Sequence, residues 1–175
     1  MEFRKLTMDE LSRLPADQSR AAEKFPLVFV LDNLRSLANV GSLFRTADSL
    51  GLAGLCLCGF TGQPPHREIE KTALGATESV SWQYFSDTLA CLESLKAEGY
   101  TIAALEQTTG STMLQHLRLN GKLAVVLGNE ISGVSDDALR MADFVIEIPQ
   151  FGMKHSLNVS VSAGILAWQL VSGRL

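Results

Sequence analysis

Three short stretches, far apart in the chain, concentrate the polar residues that can do chemistry. Segment 39–51 reads N-V-G-S-L-F-R-T-A-D-S-L-G, segment 125–135 reads V-V-L-G-N-E-I-S-G-V-S, and segment 148–160 reads I-P-Q-F-G-M-K-H-S-L-N-V-S. The third is too polar and too punctuated by Gly and Pro for a core, yet it stands between two apolar runs. Ser156 and Asn158 fall where this loop turns into a helix. A helix start leaves backbone N–H groups unpaired and carries partial positive charge, which suits a phosphate, a carboxylate or a polar cofactor. Arg45 and Glu130 are the charged candidates of the first two stretches, and His155 is the histidine of the third. Taken singly, each has a bland reading. Arg45 is then a surface arginine facing Asp48, Glu130 a capping acid, and Gly128 and Gly133 are turns.

Other chemistries lack their signatures. No G-x-G-x-x-G follows the first apolar run, no G-x-x-x-x-G-K-[ST] occurs, and no G-x-S-x-G elbow is present. Cys56, Cys58 and Cys91 have no companion Cys or His pair at ligand spacing, so no metal site is expected. Cys56 and Cys58, two apart in L-C-L-C, share one side of a strand and read as buried thiols. The net charge of −4 argues against a nonspecific nucleic-acid binder but leaves room for a local basic cluster. With 46% apolar residues, no apolar leader and no run approaching a membrane span, the chain reads as soluble and cytoplasmic.

The elements that must position these residues alternate between strand and helix. Residues 1–25 form a short extension, helical from the capping-box pattern of Thr7 and Glu10 to Pro15. The domain proper spans 26–175. Strands are expected over 27–31, 55–58, 80–84, 101–105, 123–127 and 144–148. Helices are expected over 39–50 (closed by Gly51), 67–74, about 87–98, from Ser135 onward, and over 158–171. The continuous run L-V-F-V-L at 27–31 suits a strand buried on both faces. Alternation of this kind implies an α/β fold, a mostly parallel sheet with helices on both faces. Ligands of such sheets bind beyond the carboxyl ends of the strands, where the three polar stretches can meet.

Together, the three stretches resemble, in order and spacing, the three motifs of the SpoU-type (TrmH-like) RNA ribose methyltransferases of the SPOUT superfamily. The first motif is matched by Asn39, Gly41, Arg45, Ala47 and Gly51. The second is matched by Gly128, Asn129, Glu130, Gly133 and Ser135, and the third by Ile148, Pro149, Gly152 and Ser156 to Ser160. The resemblance spans about 26–173 and includes A-L-G-A at 73–76. It implies a C-terminal deep trefoil knot, a homodimer, and S-adenosylmethionine held in the knot. Leu105, Gly128, Asn129, Ile148 and Leu157 fall at cofactor positions, and Asn39, Arg45, Glu130, Ser156 and Asn158 at catalytic or substrate positions. Gln150 and His155 depart from the common pattern at the edge of the cofactor loop.

The implied reaction moves a methyl group to a ribose 2′-hydroxyl of RNA. Arginine is effectively always cationic, so Arg45 is expected to stabilise the developing alkoxide rather than to act as a base. Glu130 is expected to fix Asn39 or Arg45, and Ser156 and Asn158 to hold a phosphate or orient Arg45. Arg35, Arg67, Lys71 and Lys154 are candidates for an RNA groove. Without room for an added recognition domain in 1–25, transfer RNA is expected over ribosomal RNA. The other readings are a ribosomal RNA target, a base methyltransferase of the superfamily, and a catalytically silent RNA-binding module that kept the knot. No membrane or metal partner is expected.

Overall fold

The computed structural model describes residues 3–7, 9–11, 18, 21–118 and 120–173. Its strands are β1 (Phe25–Asp32), β2 (Leu52–Cys58), β3 (Trp82–Phe85), β4 (Tyr100–Leu105), β5 (Thr112–Met113), β6 (Lys122–Leu127) and β7 (Phe144–Glu147). The helices are α1 (Leu37–Ser49), α2 (Arg67–Ala73), α3 (Ala76–Ser79), α4 (Thr88–Ala97), α5 (Asp136–Met141) and α6 (Val159–Ser172). The strands form one sheet in the order β3-β2-β1-β6-β4-β7-β5, and every pairing is parallel. The expected α/β architecture is therefore present.

Helices cover both faces, as the apolar run of β1 requires. Leu27, Phe29 and Leu31 belong to one core with α1, α2 and α6, while Val28 and Val30 belong to a second core with α4 and α5. Cys56, Cys58 and Cys91 are free thiols buried together in that second core. Phe29 and Phe44 are fully buried, and truncating either to alanine is expected to cost about 3–5 kcal/mol. Gly41 allows α1 to press onto α2. A Cβ there would lie 2.1 Å from Thr72 Oγ1 and 2.3 Å from the Ile69 carbonyl oxygen.

Several boundaries differ from those expected. Helix α1 starts two residues before Asn39, because Ser36 caps it by accepting the Asn39 N–H at 3.2 Å. Val80 is not a strand residue. It is buried at the end of α3, a single helical turn whose entry is set by left-handed Leu74 and Gly75. β5 and the 3-10 turn Leu114–His116 were not expected, being too short to show a period. β7 ends at Glu147, one residue early.

The described part of the extension holds a 3-10 turn at Asp9–Leu11 and a helical stretch at Gln18 and Ala21, where the Ala22 N–H bonds to the Gln18 carbonyl at 3.0 Å. The Thr7 N–H donates to Glu10 Oε2 at 2.8 Å, which is the carboxylate half of the expected capping box, while the Thr7 hydroxyl donates to the same oxygen at 3.1 Å. The Arg4 guanidinium grips the same carboxylate and, with Thr7, pulls it down to about 2. The expected helix beyond residue 11 reaches residues 12–15, outside the described residues. Among the described residues, no helix is long and apolar enough to cross a membrane, and no group of three or more His, Cys, Asp or Glu is placed to hold a metal ion.

Candidate active site

The sheet reverses its winding direction between β1 and β6, and the loops that leave their carboxyl ends are fastened to one another. Asp32, at the end of β1, is 1% exposed. Its carboxylate accepts the Thr88 hydroxyl (2.7 Å), the Asn33 amide (3.0 Å) and the Ser135 N–H (2.9 Å). The Asn129 amide donates to the Asn33 carbonyl at 2.6 Å, and its side-chain oxygen accepts the N–H of Ile131 at 2.9 Å. Backbone bonds between Asn129 and Gly133 close this turn. Gly128 has to be glycine here, since a Cβ would stand 2.1 Å from both the Gly133 carbonyl carbon and the Val134 nitrogen.

Glu130 reaches from this turn to the start of α1. It accepts the N–H groups of Arg35 and Ser36, each at 3.0 Å, and the Asn39 amide at 2.9 Å. Desolvation pushes the Glu130 carboxyl up. The Arg35 N–H, the Asn39 amide and the N–H groups of Glu130 itself and Ser36 outweigh it and hold the group below its ordinary value. Asn39 in turn accepts the Asn158 amide at 3.1 Å. Asn158 also caps α6, its side-chain oxygen accepting the Ser160 N–H at 2.9 Å. A polar chain Glu130–Asn39–Asn158 thus joins one residue from each of the three sequence stretches.

Beside this chain lies a cavity of about 620 Å³. All five residues expected at cofactor positions line it: Leu105, Gly128, Asn129, Ile148 and Leu157. Leu127 and Ile146 extend the apolar wall, and Glu130, Ser156 and Asn158 stand on its polar side. Asn129 contributes differently from its neighbours, because its side chain and both backbone polar groups are committed to building the turn.

Arg45 is not brought to this cavity. It is exposed on α1, about 9 Å further along the helix than Asn39 and turned away from it by the six-residue spacing. It lines a second depression with Ser42, Thr46, Ser49 and Lys71. Glu130 therefore fixes Asn39 and not Arg45, and among the described residues the Arg45 guanidinium makes no hydrogen bond or ion pair.

Two acids went unread in the sequence. Asp32 ties three loops together. Glu106 lines the cavity and accepts the N–H groups of Gln107 (2.9 Å) and Val134 (3.1 Å). The usable signal for both was the same, a carboxylate at the carboxyl end of a buried apolar strand. Gln107 then donates to the His155 carbonyl at 2.7 Å, holding the loop after β4 against the loop after β7. That backbone contact is the site role His155 shows.

A model of the SpoU rRNA Methylase family matches residues 26–168. The chain belongs to this family. One relative, the tRNA (guanosine(18)-2'-O)-methyltransferase of Borreliella burgdorferi, is 28% identical over 145 residues, which is 83% of this chain and 66% of the relative. The chain spans 63–66% of the length of the first curated relatives it matches. Among solved structures, the A. aeolicus TrmH/SpoU tRNA modifying enzyme superposes with a TM-score of 0.81 at 26% identity, covering 91% of this chain and 82% of that one. An AdoMet-bound rRNA methyltransferase from Sinorhizobium meliloti gives 0.80 at 25%, covering 90% and 60%. The matched range 26–168 includes all three polar stretches.

Proposed function

We propose that this SpoU-family chain transfers a methyl group from S-adenosylmethionine to a ribose 2′-hydroxyl of RNA, with transfer RNA as substrate, in the cytoplasm. The observation that carries this reading is the cavity at the strand ends, walled by residues of the second and third motifs and tied to the first through Asn39. The cavity suits the cofactor. Leu105, Leu127, Ile146, Ile148 and Leu157 offer an apolar wall, and Gly128 lines the cavity with backbone alone. When bound there, S-adenosylmethionine supplies an electrophilic methyl group whose bond to sulfur breaks as the ribose oxygen–carbon bond forms. Residues 26–175 are the catalytic domain in this reading, and 1–25 an extension.

The chain's own residues orient and stabilise. Asn39, Glu130 and Asn158 fix the start of α1 against the start of α6, so that Ser156 and Asn158 present polar groups to the RNA beside the cavity. An in-line displacement needs this alignment for much of its rate. The guanidinium of Arg45 stabilises charge developing on the ribose oxygen, whose proton passes to a substrate phosphate or to water. Because Arg45 lies away from the cavity of its own subunit, it serves the site of a partner subunit. The proposed homodimer is supported by Val161, Ile165 and Trp168, which form an exposed apolar stripe on α6 at a spacing of four and three residues. Helix α6 packs on α1, so this stripe and Arg45 belong to neighbouring elements.

The same reading includes the trefoil knot. Its support is the contact of the 106–116 segment with the returning chain, through Gln107 to His155 and the 3-10 turn to α6. Calorimetric titration with S-adenosylmethionine tests the reading. Micromolar binding that is lost in Gly128→Val is the expected result, and a wild-type protein that does not bind the cofactor overturns it.

A further inference from the structure

One exposed aromatic is displayed by a rigid turn and has no part in the site described so far. Phe60 is 63% exposed, between Gly59 and the 2%-exposed Thr61. Both neighbours are anchored. The Gly59 N–H bonds to the Phe85 carbonyl at 3.0 Å, and the Gly59 carbonyl accepts the Tyr84 hydroxyl at 3.0 Å. Thr61 donates its hydroxyl to the Leu31 carbonyl (3.0 Å) and accepts the Leu34 N–H (2.9 Å). The Phe60 N–H itself bonds to Asn33 Oδ1 at 3.2 Å. Asn33 adopts a left-handed conformation with φ of 57°, and a Cβ on Gly59 would lie 2.0 Å from its side-chain oxygen. The backbone of the turn is thus fixed on both sides of Phe60, and the ring is displayed at the surface.

Phe60 lines a depression of about 600 Å³ with Asn33, Arg35, Asn129, Ile131 and Ser132. Three of these residues, Asn129, Ile131 and Ser132, also line the methyl-donor cavity, so one turn separates the two spaces. Ile131 is 75% exposed and adds apolar surface. Arg35 is the charged residue of the depression. Its N–H is bound to Glu130, yet among the described residues its guanidinium makes no ion pair. An exposed aromatic face beside an unpaired cation, one turn away from the methyl-donor cavity, fits a nucleobase with its phosphate. Aromatic–base stacking tolerates any base, and a nearby arginine supplies the backbone contact.

We infer that Phe60 and Arg35 form a stacking subsite for an unpaired nucleotide next to the one being methylated. Phe60 packs on the base and Arg35 meets a phosphate. This rests on the RNA-methylating reading above. Stacking extracts the flanking nucleotide from the RNA and so presents the target ribose to the cavity.

The test measures binding of fluorescently labelled, unfractionated transfer RNA by the full-length chain, with S-adenosylmethionine affinity measured alongside. Phe60→Ala and Phe60→Leu are expected to weaken RNA binding about tenfold, the scale of one lost stack, while Phe60→Tyr and Phe60→Trp retain it. KM for RNA rises in the first pair with kcat little changed, and cofactor affinity and melting temperature stay at wild-type values in all four. Wild-type RNA affinity in Phe60→Ala overturns the subsite, and so does full affinity in Phe60→Leu, which would make the contact merely apolar. A loss of RNA affinity that accompanies dissociation of a dimer overturns it by assigning Phe60 to a protein contact. Failure of the wild-type protein to bind transfer RNA or S-adenosylmethionine overturns the functional reading itself, and the subsite with it.

Discussion

Replacing Asn39 with aspartate probes the polar chain that joins the three motifs. Asn39 is 9% exposed and donates to one carboxylate, Glu130, at 2.9 Å while accepting from Asn158 at 3.1 Å. Asn39→Asp keeps the shape and the acceptor toward Asn158 but removes the donor to Glu130. A lost hydrogen bond to a charged partner costs about 1.5–3 kcal/mol. The introduced carboxylate adds like-charge repulsion at hydrogen-bond distance, so the total at neutral pH is expected at about 2–4 kcal/mol. The sign of the pH dependence follows. In the wild type the lowered Glu130 pKa contributes stability above the ordinary carboxylate value, and this is lost as pH falls through the folded value. In Asn39→Asp one of the two carboxyls is instead raised, so its penalty is full at neutral pH and shrinks as acid protonates the pair. Urea denaturation at about pH 7.5 and about pH 5 reads the difference. Asn39→Ala is the control, because it loses both bonds, at a cost of about 2–4 kcal/mol, without adding charge and so without a penalty that acid relieves. The reasoning is refuted if Asn39→Asp shows no more relief in acid than Asn39→Ala.

Gly128→Ala is expected to destabilise the protein by about 1–3 kcal/mol through overpacking against Gly133 and Val134, and to weaken S-adenosylmethionine binding in calorimetry. Arg45→Ala is expected to lower kcat by about 10²–10³ while leaving cofactor affinity near wild type. Unchanged turnover removes Arg45 from the mechanism. Mixed dimers of an Arg45→Ala subunit with an Asn158→Ala subunit should regain activity that neither parent shows, because one composite site is then intact. A mixed dimer as inactive as its parents contradicts sharing of the site. Joint Ile165→Glu and Trp168→Glu substitution should give a monomer in sedimentation equilibrium, and a persisting dimer moves the interface off α6.

The sequence was most legible where burial forces pattern. The run L-V-F-V-L announced a strand covered on both faces, and L-C-L-C announced thiols on one side of a strand. Both are so. Gly128 was readable as a possible turn and, by motif resemblance, as a cofactor position, but its function as the point where two backbones touch needed the fold. Asn39 and Asn158 were marked as site residues by motif resemblance, but nothing in a chain of letters says that they bond to each other across 119 positions. Helix starts shifted because Ser36 caps α1 two residues upstream of Asn39, a local competition that apolar spacing does not register. β5 escaped notice because two residues have no period. Arg45 was legible as a candidate but its distance from the cavity was not, since helical phase decides which side of α1 it occupies.

The most direct test of the proposed reaction follows the methyl group itself. The purified protein is incubated with transfer RNA and S-adenosylmethionine carrying an isotopically labelled methyl, and the RNA is digested to nucleosides for mass spectrometry. The expected product is a nucleoside with the label on its ribose, absent when Arg45→Ala replaces the wild type. Label found on a base, or no label on RNA from a protein that binds the cofactor, would contradict ribose 2′-O-methylation.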